Sequence, residues 1–216
     1  MQRFSLLIFD LDGTLIDSFP GITVALNRTL GDFDRPTIDL EWVRNHVGRG
    51  AHRLVSAACG PSIDADIFLA AFRSHYHDIL LDHSPPFAGV DTTLRTLART
   101  YTLAVASNKP ATWVESIVTH HHWDEIMAVV AGPETVGAHK PAPQMIEYIS
   151  KKTGLPLAET LMIGDMTVDI ETAHAAGIPV IAVTTGAASE EILSAAGPSE
   201  ILSSVNDLPG WLSSAH

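Results

Sequence analysis

Asp10 and Asp12 stand one residue apart at the end of an apolar run, "FSLLIF" from Phe4 to Phe9. Carboxylates that close repel one another and resist desolvation, so an ordinary core has no use for them there. Three later apolar runs lead into polar groups of the same kind. "TLAVA" is followed by Ser107, Asn108 and Lys109; Lys140 lies in the "HKP" loop after a third run; a fourth ends in Gly164 and Asp165, with Asp169 four residues on. Several carboxylates converging with too few basic partners call for a hard cation. Mg²⁺ suits them, because it takes a few oxygen ligands and keeps waters and a substrate phosphate. With Mg²⁺ and Lys140 neutralising a phosphoryl group, and Ser107 and Asn108 fixing its oxygens, a carboxylate can attack phosphorus in line and form an aspartyl-phosphate. Asp10 is the expected nucleophile. Asp12, past the strand end, is placed to protonate the leaving oxygen and then take a proton from the water that hydrolyses the intermediate.

These residues can meet only if the runs lie side by side. From Ser18 to about His83 the apolar spacing is helical, in "ITVALNRTL", "EWVRNHV", "HRLVSAAC" and "IFLAAFRSHYHDILL", with no convincing strand. After "PPFAG" short apolar runs alternate with helical stretches: "TLAVAS", "IMAVVAG", "TLMIGD" and "IPVIAVTT", then a short terminal strand and helix. That alternation predicts a parallel sheet with right-handed crossovers, to which the first run also belongs. The expected organisation is an α/β core from residues 1–17 and 84–216, interrupted by a helical subdomain over 18–83. In such sheets ligands gather beyond the carboxyl ends of the strands, where the polar residues fall. Pro110 and Pro141 suit the first turns of following helices, which would put Asn108 and Lys140 near helix N-termini that favour an anion.

"FDLDGTLIDS", "VASNK", "HKPAP" and "GDMTVDIETAHAAGI" resemble, in order, the four motifs of the haloacid dehalogenase superfamily. The helical insertion is similar to that superfamily's small cap, and "WVRNHVGRGAHRLV" resembles a cap segment of its phosphoglycolate phosphatase-like members. The resemblance spans nearly the whole chain and implies a Rossmann-like, three-layer α/β/α core with an inserted α-helical cap. Carried over by position, it implies Asp10 as nucleophile, Asp12 as acid/base, Ser107 and Lys140 as phosphate ligands and Asp165 as a metal ligand. The carboxylate of Asp10 and the backbone carbonyl of Asp12 would join the metal's shell. Met166 and His139 depart from what many relatives carry, without removing a motif member. Asp169 either reaches the metal through water or pairs with Lys140, the second being the favoured reading.

The leading function is thus a Mg²⁺-dependent phosphatase on a small phosphomonoester, with 2-phosphoglycolate the first candidate. A sugar-phosphate phosphatase or phosphomutase is the alternative, and a pyrophosphatase stands further off. A dehalogenase would lack Asp12 and Asp165, and a phospho-aspartate receiver module would lack the insertion. Discrimination among substrates falls to the cap. Arg49, flanked by Gly48 and Gly50, is the expected contact for a second anionic group, against the alternative of a solvated loop arginine.

Composition sets the remaining bounds. Of 216 residues 46% are hydrophobic, and 25 acidic against 13 basic residues give a formal net charge of -12. That charge argues against nucleic acid or an anionic membrane as partner and requires any anion site to be local. Without a signal-peptide pattern or an apolar run of spanning length, a cytoplasmic protein is expected. Cys59, the single cysteine, is read as a packed helical residue. "HHHW" at His120–Trp123 reads as a surface helix end, His75 and His77 as surface residues, and Trp42 and Trp113 as packing. No motif sets an oligomeric state.

Overall fold

The computed structural model describes residues 4–214. The first strand, β1 (Leu6–Phe9), leads into four helices: α1 (Phe19–Asp32), α2 (Leu40–His46), α3 (Ala51–Cys59) and α4 (Ala65–Ile79). The chain then alternates through α5 (Val90–Leu97), β2 (Thr102–Ala106), α6 (Ala111–His120), β3 (Met127–Ala131), α7 (Pro133–Val136), α8 (Gln144–Thr153) and β4 (Thr160–Gly164). It closes with α9 (Thr167–Ala176), β5 (Val180–Val183), α10 (Glu190–Ala195), β6 (Glu200–Leu202) and α11 (Leu208–Ser214). The six strands are parallel, in the order β3-β2-β1-β4-β5-β6. No helix among the described residues is long and apolar enough to cross a membrane.

A parallel sheet covered by helices on both faces needs strands that are apolar throughout, and all four residues of β1 are buried. Successive side chains point to opposite faces, so Leu7 and Phe9 pack with α5, α6 and α11, whereas Leu6 and Ile8 pack with α8, α9 and α10. Register then places the polar residues. Phe9 pairs with Val105 on one side and Ile163 on the other, so Asp10 lies level with Ala106 and Gly164. Three chain segments therefore turn polar along one edge of the sheet.

The insertion is built on facing apolar stripes. Ile22, Leu26 and Leu30 of α1 meet Phe68, Phe72, Tyr76 and Ile79 of α4, spaced three and four residues apart. Asp39 and Asp64 cap α2 and α4, their carboxylates accepting from the Trp42 amide at 2.7 Å and from the Asp66 and Ile67 amides. The chain leaves and re-enters side by side, with the Asp17 amide donating to the Pro85 carbonyl at 2.9 Å and Ile16 bridging Pro86.

Two local expectations fail. α8 starts at Gln144, not at Pro141, because the residue before each proline is steered out of the helical region and "KPAP" contains two prolines. Lys140 accordingly sits in the loop rather than at a helix N-terminus. Trp123 is not at the surface but wholly buried, its indole N–H donating to Asp91 at 3.1 Å, while His120 is exposed.

Candidate active site

Asp10 follows directly on β1, held there by its amide's bond to the Ile163 carbonyl at 2.9 Å. The Lys140 ammonium meets Asp10 Oδ1 at 2.9 Å, Asp169 Oδ1 at 2.6 Å and the Ala106 carbonyl at 3.0 Å, two of these groups at strand ends and the third in the helix after β4. Asp169, in the first turn of α9, accepts from the Met166 amide with its other oxygen at 3.1 Å, which fixes the carboxylate that holds the lysine. Asp165 is fully buried; its two oxygens accept from Thr14 Oγ1 at 2.9 Å and from the Ala187 amide at 3.1 Å. Gly13 makes room for it: at φ +85° the loop crosses so closely that a Cβ there would lie 2.4 Å from Asp165 Oδ2.

Oxygens of Asp10, Asp165 and Asp169 all lie within 4.8 Å of one another. Burial, the largest influence, raises the Asp10 carboxyl to about 7, with Lys140 opposing and Asp169 reinforcing the rise. Burial likewise raises Asp165 well above the ordinary carboxylate range, helped by the charges of Asp169 and Asp10. For Lys140 burial works against the charge, but Asp10 and Asp169 outweigh it and hold the ammonium above its usual range. The cluster is therefore short of positive charge despite its lysine.

A second ion pair lies across the cleft. Lys109 Nζ reaches both oxygens of Asp12, at 2.9 and 3.2 Å, and donates to the Tyr76 hydroxyl at 2.9 Å. Ser18, at the start of α1, donates to Asp12 Oδ1 at 2.5 Å. Burial again opposes the Lys109 charge, and Asp12 followed by Tyr76 overcomes it, so the ammonium is raised. Asp10, Asp12, Ser107, Lys109 and Lys140 line one cleft, whose other wall is apolar, from Ile22, Val47, Leu54, Phe72 and Trp113.

Of the expected site residues, Asp10, Asp12, Lys140 and Ser107 meet at this cleft, with Asp165 and Asp169 grouped beside Asp10. Ser107 is 2% exposed, and its Oγ accepts from the Lys109 amide at 3.3 Å. Asn108 lines the cleft, yet its side chain is not free to hold a phosphoryl oxygen. It accepts from the Lys140 amide at 2.7 Å and donates to the carbonyls of Lys140 at 3.1 Å and Gly48 at 2.9 Å. Both of its amide protons, the ones a phosphoryl oxygen would need, go into joining three loops.

Arg49 also departs from expectation. It is exposed and lies outside the cleft, in an outer recess with His52, Arg53 and His139. Gly48 and Gly50 line the cleft, and Arg49 between them does not. Gly48, at φ +104°, lies against Met166, whose Sδ would be 2.3 Å from a Cβ there, and Gly50 faces His139. The two departures from the motif pattern are thus where the insertion touches the core. Lys109, Tyr76 and Ser18 were missed as site residues. Lys109 adjoins Ser107 and Asn108 at a strand end and was within reach of sequence reasoning; Tyr76, 33 residues away in a helix, carried no such signal.

Similarity to known proteins follows the same lines. The family model described as haloacid dehalogenase-like hydrolase matches residues 7–183. A phosphoglycolate phosphatase from Colwellia psychrerythraea is 33% identical, with 96% of each chain covered. Another, from Rhodospirillum rubrum, is 35% identical over 95% of this chain and 90% of its own. A crystal structure of a predicted phosphoglycolate phosphatase from Haemophilus somnus superposes with a TM-score of 0.89 at 30% identity, covering 98% of this chain and 99% of that one.

Proposed function

This chain belongs to the haloacid dehalogenase-like hydrolases, and on that premise we propose that it is a Mg²⁺-dependent phosphatase of a small phosphomonoester, 2-phosphoglycolate first, working through an aspartyl-phosphate. The observation that carries the reading is Asp10 Oδ1. It is buried and paired with the Lys140 ammonium at 2.9 Å, and its carboxylate lines the cleft, so a nucleophile already matched with a cation stands where a phosphoryl group would enter.

The donor set suits a hard divalent cation. Asp10, Asp12, Asp165 and Asp169 set four carboxylates against the two ammoniums of Lys109 and Lys140, a surplus that one such ion offsets. Asp10, Asp165 and the backbone carbonyl of Asp12 would hold it. When bound, it supplies positive charge to the phosphoryl oxygens and to the Asp10 carboxylate.

The protein's own groups perform the transfer. Lys140 and Ser107 hold phosphoryl oxygens opposite the leaving group. An oxygen of Asp10 bonds to phosphorus as the ester P–O bond breaks, and Asp12, which enters this step in its protonated form, gives that proton to the departing oxygen. Asp12, now a carboxylate, takes a proton from water. The water oxygen bonds to phosphorus, the aspartyl bond breaks, and inorganic phosphate leaves with Asp10 restored. We assign residues 18–83 as the cap and residues 1–17 and 84–216 as the catalytic core. The names of the relatives support 2-phosphoglycolate as the first candidate.

The test is hydrolysis of 2-phosphoglycolate, a panel of sugar phosphates and p-nitrophenyl phosphate, with Mg²⁺ and after EDTA. Preferential turnover of 2-phosphoglycolate only with the metal is expected. Preference for a neutral sugar phosphate would defeat the substrate assignment, and full activity without metal would defeat the mechanism.

A further inference from the structure

We infer that Lys109, held by the hydroxyl of Tyr76 on α4, is a positioning residue for Asp12, so that proton delivery to the leaving group depends on how the helical insertion sits on the core. The inference rests on the reading of Asp12 as acid/base.

An ammonium has three protons, and those of Lys109 meet three acceptors: both oxygens of Asp12 and the oxygen of Tyr76. Contact with both carboxylate oxygens sets the distance of the group, and the Ser18 hydroxyl on Oδ1 from a second direction restrains its rotation. Tyr76 is itself held. It is 1% exposed, stacked on Phe72 at 5.6 Å and met edge-on by Trp113 at 5.1 Å, and the Lys109 ammonium lies 4.8 Å from its ring centre. Ser18 supports Asp12 from the other end of the insertion. The carboxylate is thus gripped from both ends of the inserted segment, near the start of α1 and near the end of α4. A displacement of α4 away from the core by about 1 Å would carry the Tyr76 contact past hydrogen-bonding range and leave the ammonium held by Asp12 alone. A buried pair of purely structural value would affect every substrate alike; a pair that aims a proton donor affects those needing the proton most.

The test compares phenyl phosphate and p-nitrophenyl phosphate, which share shape and differ in how badly the departing oxygen needs a proton, together with 2-phosphoglycolate, all with Mg²⁺. Lys109→Met should lower kcat on phenyl phosphate about 30- to 100-fold and at least about tenfold more than on p-nitrophenyl phosphate. Tyr76→Phe, which keeps the ring and its packing, should show the same bias at about three- to tenfold. In an Asp12→Ala background Lys109→Met should add no further bias. Equal losses on both aryl phosphates in folded variants, or a bias that persists without Asp12, would overturn the inference. A loss confined to KM for 2-phosphoglycolate would also overturn it, by making Lys109 a ligand of the substrate's carboxylate. None of these touches the covalent mechanism, whose own failure would appear as normal turnover by Asp10→Asn.

Discussion

Lys140 and Lys109 are both buried ammonium groups on one cleft, and they are held in opposite ways. Lys140 is surrounded by the core alone: Asp10 at the end of β1, the carbonyl of Ala106 at the end of β2, and Asp169 in α9. Lys109 has one core carboxylate, and its remaining partner is a tyrosine from the inserted helices. The first arrangement is complete once the sheet forms, because register aligns the strand ends. The second is complete only when the insertion is seated. On the proposed reading, phosphoryl binding falls to the sheet edge, and leaving-group chemistry to the contact between the core and the insertion.

The comparison breaks most severely at the core. Asp10→Asn keeps shape and removes the nucleophilic charge, so turnover should fall by about four orders of magnitude or more while circular dichroism stays unchanged. Lys140→Met should cost about a hundred- to a thousandfold in kcat on good and poor leaving groups alike, in contrast to the bias expected at Lys109. It should also lower stability by about 3 to 5 kcal/mol in urea denaturation, because Asp10 and Asp169 are left buried without their cation. Asp165→Ala should raise the Mg²⁺ concentration for half-maximal activity by at least about tenfold, and an unchanged requirement would remove Asp165 from the metal's ligands.

Protonation sharpens the same contrast in the metal-free protein. Asp10, raised from 3.8 to about 7, binds a proton in the folded chain that the unfolded chain releases between those values. The folded state therefore holds more protons over that interval, and this contribution to stability grows as pH falls from 7 toward 4. In EDTA, Asp10→Asn should melt at a higher temperature than the parent at pH 8, with the advantage shrinking by pH 5. An equal difference at both pH values would remove Asp10 as the titrating group. The smallest effect is expected at Arg49. Exposed and outside the cleft, it acts as a rim charge, and Arg49→Ala should lower kcat/KM for 2-phosphoglycolate by less than about threefold, with the loss vanishing in high salt.

How much of this was legible in the sequence depended on the range of the interaction. The helices of the insertion and the strands of the sheet follow local spacing, apart from the start of α8, where two prolines displaced the boundary to Gln144. Asp10 and Asp165 are legible because strands buried on both faces must be apolar along their length, which makes a charged residue at their carboxyl ends conspicuous, whereas Lys140 in its loop and Asp169 in α9 are legible through the motif resemblance. Asn108 follows from its position at a strand end, whereas nothing in "SNK" reveals that its amide meets Gly48, 60 residues away.

The sequence by itself determined that acids and lysines would collect along one edge of a parallel sheet, since alternation, strand length and the position of polar residues are properties of short stretches. Only the tertiary structure decided which partner each would take. Lys109 and Asp12 lie 97 residues apart, and Tyr76 reaches them from a helix whose own spacing explains its burial but not its hydroxyl's direction. Arg49 points away from the cleft because Gly48 and Gly50 press against Met166 and His139. These outcomes hang on where the insertion comes to rest, a matter of close packing between surfaces distant in the chain, which no local pattern specifies.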